Sequence, residues 1–185
     1  MQYGGGLTRA QWLGGAASVA LAYVLFYRLN SWLFDQVKVT DFVSWIFLPA
    51  AIRMVAVLLL GWAGVLGLFV GSLLVIMPVL TQDPIHALTL ATLSSVMPIL
   101  AAFVVQKLAG ISADLSGLKG RHLFLFGLAG GLINSVAHIT YFMLHDETLV
   151  HLAALPAMFV GDSVGTLLML YAAAIVMRRL VPRQH

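Results

Sequence analysis

The stretch "WIFLPAAIRMVAVLLLGWAGVLGLFVGSLL", Trp45 to Leu74, contains a single charged side chain, Arg53. A helix built from it is apolar on every side, the pattern of a buried or membrane-spanning helix rather than a surface one. Gly61 interrupts the run near its middle and marks a turn of almost zero length. The stretch therefore predicts two consecutive transmembrane helices joined by a glycine. The whole chain agrees with this reading. Of its 185 residues, 61% are hydrophobic and 9% charged, where a soluble domain carries roughly 25% charged residues.

Working outward, six spans fit the apolar runs: Trp12–Leu29, Phe42–Leu60, Trp62–Leu80, Ile85–Leu108, His122–Leu144 and Leu149–Met177. The fold class expected is all-α, a polytopic bundle occupying residues 1–185 as one domain. "TQDP" and "HDET" supply short polar breaks, and "GISADLSGLKGR" is the most polar long segment. The N-terminal "MQYGGGLTRAQW" lacks a small-x-small exit after its apolar run, so no cleaved signal peptide is expected. No output module is expected after Arg179.

Basic residues mark the cytoplasmic side of a membrane protein. With the N-terminus inside, Arg9, Lys107, Lys119, Arg121, Arg178, Arg179 and Arg183 fall inside, against Arg28 and Lys38 outside. Asp35, Asp41, Asp83, Asp146 and Glu147 fall in the outer turns. Both termini are thus expected in the cytoplasm, in a multi-pass membrane protein. The basic residues sit at span ends, so nucleic acid is not an expected partner. The lipid bilayer is.

The chain has no cysteine, which removes thiol catalysis, disulfides and thiolate metal sites. It holds no paired-carboxylate constellation, nucleophile elbow or phosphate loop, so no enzyme activity is expected. Close helix packing is expected at the GxxxG pairs Gly67 and Gly71, and Gly127 and Gly131. The run Gly14 to Ala17 has the same small-residue character.

Two charges fall inside spans. Counted from the expected starts, Arg53 lies roughly 15 Å into span two and Asp162 roughly 20 Å into span six. A charge at mid-bilayer costs at least about 2.5–3.5 kcal/mol on insertion scales. The two relieve each other if their faces meet, and a contact between them is expected. Such a pair either fixes how two spans dock or lines a polar cavity for a ligand. Pro49 and Pro156 precede the two charges and are expected to kink or interrupt their helices beside that cavity.

His138, with Asn134 and Ser135 beside it, is the third polar group. His145 and His151 follow, but the spacing of the three matches no ligand motif, so no metal or haem is expected and His138 is read as hydrogen-bonded to a neighbouring helix. Gln106, Ser94 and Ser95 add polarity to span four, although serine bonds readily to its own helix.

The Trp45–Leu74 run, with "SSVMPILAAFVVQKL" and "FVGDSVGTLLMLYAAAIV", resembles bacterial membrane-associated sensor domains of the MASE type. Trp45, Pro49, Gly61 and Gly71 stand where that family has a tryptophan, a proline, a glycine turn and a closing glycine. Gly161, Asp162 and Gly165 match its closing motif. The likeness runs from about Trp45 to Arg178. It implies a sensor-like bundle in the bacterial inner membrane; no cofactor is expected. Family members usually have about eight spans and a fused cyclase, phosphodiesterase or kinase module. With six spans and none of these, the chain is expected to act through a protein partner. Two alternatives stand beside this: the substrate-binding subunit of an energy-coupling-factor importer, and a structural accessory subunit of a larger membrane complex.

Overall fold

The computed structural model describes residues 8–39, 43–111, 119–145 and 151–180, with the side chains of 151–153, 170 and 172–180 left aside. Asp41, Asp146, Glu147 and Arg183 lie outside the described residues, as do the side chains of His151, Arg178 and Arg179. Seven α-helices follow in order: α1 Arg9–Phe34, α2 Pro49–Leu60, α3 Trp62–Val75, α4 Met77–Gln82, α5 Pro84–Ala109, α6 Gly120–Leu144 and α7 His151–Leu180. Among the described residues there is no strand, only one isolated bridge between Lys38 and Ser44.

Local chemistry sets the ends of these helices. Thr8 caps α1 in a reciprocal box with Gln11. The Asp83 side chain caps α5 by accepting from His86 N at 3.0 Å. Gly110, left-handed at φ 62°, closes α5. Gly61 adopts φ 53° and ψ −122°, a turn that an L side chain rarely makes, and it separates α2 from α3 with no further linker.

Among the described residues, three helical segments are long and apolar enough to cross a membrane: Arg9–Val37, Pro84–Ala109 and Gly120–Leu144. The segments Pro49–Leu60 and Trp62–Val75 are apolar but shorter, and Ala154–Met169 is the apolar part of α7 whose side chains are described. Two expected spans are cut. Span two begins as helix at Pro49, not Phe42. Proline suits a first helical position, because its fixed φ is already helical and its missing N–H would have no intrahelical partner there. Pro49 therefore starts α2 and does not kink it. Span three breaks at Ile76, two residues before Pro78, and continues as α4. Pro156 does lie within its helix, α7.

The short helix α2 occupies the middle. It packs against α1, α3, α5, α6 and α7, while α1 lies along α3 and α6 lies between α5 and α7. Two apolar clusters form the core. One joins Val19, Tyr23, Met54, Val57, Leu68, Val105 and Phe126; the other joins Val43, Leu90, Ile139, Phe142, Ala157 and Met158. The outer surface is also greasy, with Trp32 80% and Leu108 85% exposed, while Arg53 and Asp162 are only 4% and 3% exposed. Charges inside and large apolar groups outside invert the arrangement that water selects.

The glycines of both GxxxG pairs pack against neighbouring helices of the chain. Gly67 and Gly71 lie against Ala16, Val19 and Ala20 of α1, and Gly127 and Gly131 against Thr166 and Ser163 of α7. Gly161 and Gly165 do something different. They admit the non-helical segment before α2, so that a Cβ on either would collide with the carbonyl oxygen of Ser44 or of Phe47. Phe47 N donates to Gly161 O at 3.0 Å across this contact. In the Gly14–Ala17 run, Ala16 is buried, but a methyl group added at Gly14 would meet nothing within 4 Å. Gly161→Ala and Gly165→Ala should therefore each lower stability by about 1–3 kcal/mol, as overpacking does. Gly14→Ala should be neutral or slightly stabilising. Thermal unfolding in detergent measures all three, and equal behaviour of Gly14→Ala and Gly161→Ala would contradict the packing described.

Candidate functional site

Arg53 stands on the second turn of α2, four residues after Pro49. The helix starts later than the hydropathy run, so Arg53 is about 6 Å along it, not 15 Å. Asp162 lies in α7, one turn beyond Met158. The contact expected from their depths forms: Arg53 Nη2 donates to Asp162 Oδ1 at 2.7 Å, with both side chains about 5% exposed. The second carboxylate oxygen, Oδ2, accepts from Asn134 Nδ2 at 2.8 Å. Arg53 also lies over the Phe47 ring, 5.0 Å from its centroid. That is cation–π distance, and it gives the guanidinium a second favourable neighbour.

Asn134 and His138 are one turn apart on α6, and both belong to this group. His138 Nδ1 lies 3.0 Å from Asn134 O, and its Nε2 lies 3.4 Å from Ser94 Oγ on α5. The expected hydrogen bond from His138 to a neighbouring helix is thus made by Ser94. Ser95 instead bonds back to Thr92 O within α5. Arg53, Asp162, Asn134 and His138 converge from α2, α6 and α7, and Ser94 extends the network to α5.

Beside the pair is a cavity of about 80 Å³, lined by Arg53, Asp162, His138, Ser72 and residues of α1. One water needs about 10–15 Å³ by this measure, so there is room for a few waters or a fragment of a few heavy atoms. Sequence reasoning places a cavity at the starts of spans two and six, and Ser44, Phe47 and Met158 do line it. It misses the wall built by Tyr23, Tyr27 and Asn30 of α1 and by Ser72 of α3. Tyr23, Tyr27 and Asn30 recur every three or four residues, which puts them on one helix face. That spacing was the available signal.

The wall is held in place. Asn30 Oδ1 accepts from Leu48 N at 2.8 Å, giving the backbone ahead of Pro49 a buried partner. Tyr27 meets Phe47 edge to face, with ring centroids 6.2 Å apart. Ser72 Oγ is buried on the wall and has no hydrogen-bond partner among the described residues. A buried hydroxyl left unpaired is costly, and a water or a ligand in the cavity removes that cost. Arg53 spends one nitrogen on Asp162, and the guanidinium has further donors for an acceptor placed beside it. Lys38, paired with Asp35, adds a second cation to the lining.

His145 is not part of this network; its ring stacks on Tyr141, 5.2 Å between centroids. Gln106 is buried on α5 and does not line the cavity. Comparison with family models, with curated proteins and with solved structures returns no match to this chain. The residues themselves carry the functional argument.

Removing one partner of a buried ion pair leaves an uncompensated charge and costs about 3–5 kcal/mol, whereas removing both together is close to neutral. Asp162→Leu should therefore destabilise strongly. Adding Arg53→Met to an Asp162→Leu chain should restore most of the loss. Unfolding midpoints in detergent measure this, and additive losses in the double variant would contradict a pair whose members depend on each other.

Proposed function

We propose that this chain is a multi-pass protein of the bacterial inner membrane that works as a non-enzymatic, sensor-like bundle. Its ligand is a small molecule with an anionic or acceptor-rich group, held in the cavity beside Arg53, and its output passes through a protein partner. One observation carries the reading: a buried guanidinium with donors to spare and the unpartnered Ser72 hydroxyl line the same cavity. A pair serving only to dock two helices needs neither a cavity nor an unsatisfied neighbour.

The resemblance to MASE-type sensor domains supports the same reading. Two of its three motif regions, Trp45 to Gly71 and Gly161 to Gly165, meet at the Phe47–Gly161 hydrogen bond and at the Arg53–Asp162 pair. An importer subunit would need a small-residue face to dock its scaffold, whereas Gly67, Gly71, Gly127, Gly131, Gly161 and Gly165 are buried in contacts within the chain. An accessory role has no specific observation in its favour.

In this proposal six segments cross the bilayer and both termini are cytoplasmic. The twelve residues of α2 rise only about 18 Å, short of a hydrocarbon core of roughly 30 Å. The preceding Val43–Leu48 segment completes that crossing. Non-helical backbone is tolerated at membrane depth where protein encloses it, and here Asn30 and Gly161 supply partners. α3 and α4 together make the third crossing.

The cysteine-free chain makes topology directly measurable. A membrane-impermeant maleimide should label Gln36→Cys and Thr81→Cys from outside, and Arg9→Cys and Lys119→Cys only after permeabilisation. The reverse pattern, or equal labelling at all four, would sink the orientation. For the ligand, a thermal-shift panel of small carboxylates and phosphates should contain members that stabilise the wild type and leave Arg53→Met/Asp162→Leu unmoved. If no compound distinguishes the two chains, the cavity is not a binding site for this class.

A further inference from the structure

The sequence raised a metal question over His138, His145 and His151, but the structure groups His145 with different residues. Asp83, at the start of α5, and His86, on its first turn, stand beside His145, the residue that ends α6. Each of the three offers one metal-ligand atom, and these atoms all lie within 4.8 Å of one another. His86 is buried, while Asp83 and His145 are exposed. We propose that Asp83, His86 and His145 form a site for a divalent transition metal of the zinc class, bridging the ends of α5 and α6.

The donor set selects the metal. Two imidazole nitrogens and one carboxylate oxygen suit Zn²⁺ and its neighbours, while Mg²⁺ and Ca²⁺ prefer oxygen alone. Three protein ligands leave a fourth position for water or another ligand, as in open zinc sites. Around a tetrahedral ion with bonds of about 2.0–2.1 Å, donor atoms stand roughly 3.3 Å apart. The side chains must therefore close by about 1.5 Å at most, and two of the three are exposed and can rotate.

The surroundings resemble the outer shell of a metal site. Tyr141 Oη lies 3.0 Å from His86 Nδ1, and the Tyr141 ring stacks on His145 at an interplanar angle of 25°. With the metal on Nε2 of His86, Nδ1–H donates to Tyr141 Oη, which fixes the tautomer and the ring plane. Tyr141 thus orients both histidines at once. Helix capping accounts for Asp83 accepting from His86 N, but it needs neither imidazole beside the carboxylate. The His86 and His145 rings are 5.5 Å apart and tilted by 32°.

The site is separate from the Arg53 cavity and does not rest on it, although the two share helices. Leu90 and Ser94, one and two turns along α5 from His86, line that cavity, as does His138, about two turns before His145 on α6. A metal here clamps α5 to α6 near the cavity wall.

The test is equilibrium dialysis of the purified full chain, without a polyhistidine tag, against buffered Zn²⁺, with metal quantified per chain. The expected result is one Zn²⁺ per chain, and visible absorption from a low-coordinate Co²⁺ site after substitution. His145→Ala and Asp83→Asn should each weaken Zn²⁺ binding at least about ten-fold. Both positions are exposed, and asparagine keeps an oxygen for the helix cap, so folding survives. Tyr141→Phe keeps the ring and should weaken binding by about ten-fold, as loss of an outer-shell partner does. The proposal is overturned if the wild type binds no stoichiometric Zn²⁺. It is equally overturned if His145→Ala and Asp83→Asn retain the wild-type affinity, which would mark the metal as adventitious.

Discussion

The hydrogen-bonded ion pair between Arg53 and Asp162 is the constraint around which the bundle is arranged. Both side chains are buried, so each charge must be met inside the protein, and each recruits further partners. Asp162 takes Asn134 on its second oxygen, Arg53 takes the face of Phe47, and Asn134 O holds His138. This network ties the central helix α2 to α6 and α7 with directional bonds. The apolar clusters on either side supply packing but little direction. In lipid, where burial of apolar surface adds no drive between helices, such polar contacts and close backbone approach take a larger share of the specification.

Close approach is the second half of the design. Gly161 and Gly165 flank Asp162 and let the segment Ser44–Leu48 lie directly on α7. That segment ends at Pro49, so the position of Arg53 is set within a few residues of the glycine contact. The same residues thus bring backbone to backbone and charge to charge. Asn30 completes the arrangement from α1 by accepting from Leu48 N. A cavity remains because tyrosine, serine and asparagine side chains, rather than further leucines, line the space between these elements.

Much of this was legible in the sequence, for physical reasons that differ by residue. The pairing of Arg53 with Asp162 followed from the cost of solitary charges in hydrocarbon, which leaves few solutions. The packing glycines followed from spacing. What failed was the start of α2, because hydropathy does not distinguish an apolar helix from an apolar non-helical segment; Pro49, expected to kink or interrupt the span, begins the helix. The α1 side of the cavity was missed because a weakly amphipathic helix does not announce which face turns inward. Asp83, His86 and His145 come from two helix ends far apart in the chain, and only their packing reveals the cluster.

The central claim is that the pair walls an occupied or occupiable polar cavity. A high-resolution structure of the chain extracted into lipid nanodiscs without detergent tests it most directly. The account predicts Arg53 and Asp162 in hydrogen-bond contact, with ordered density in the adjoining cavity touching the guanidinium and the Ser72 hydroxyl. Arg53 and Asp162 apart, or a cavity closed by neighbouring side chains or filled by a lipid tail, would contradict it.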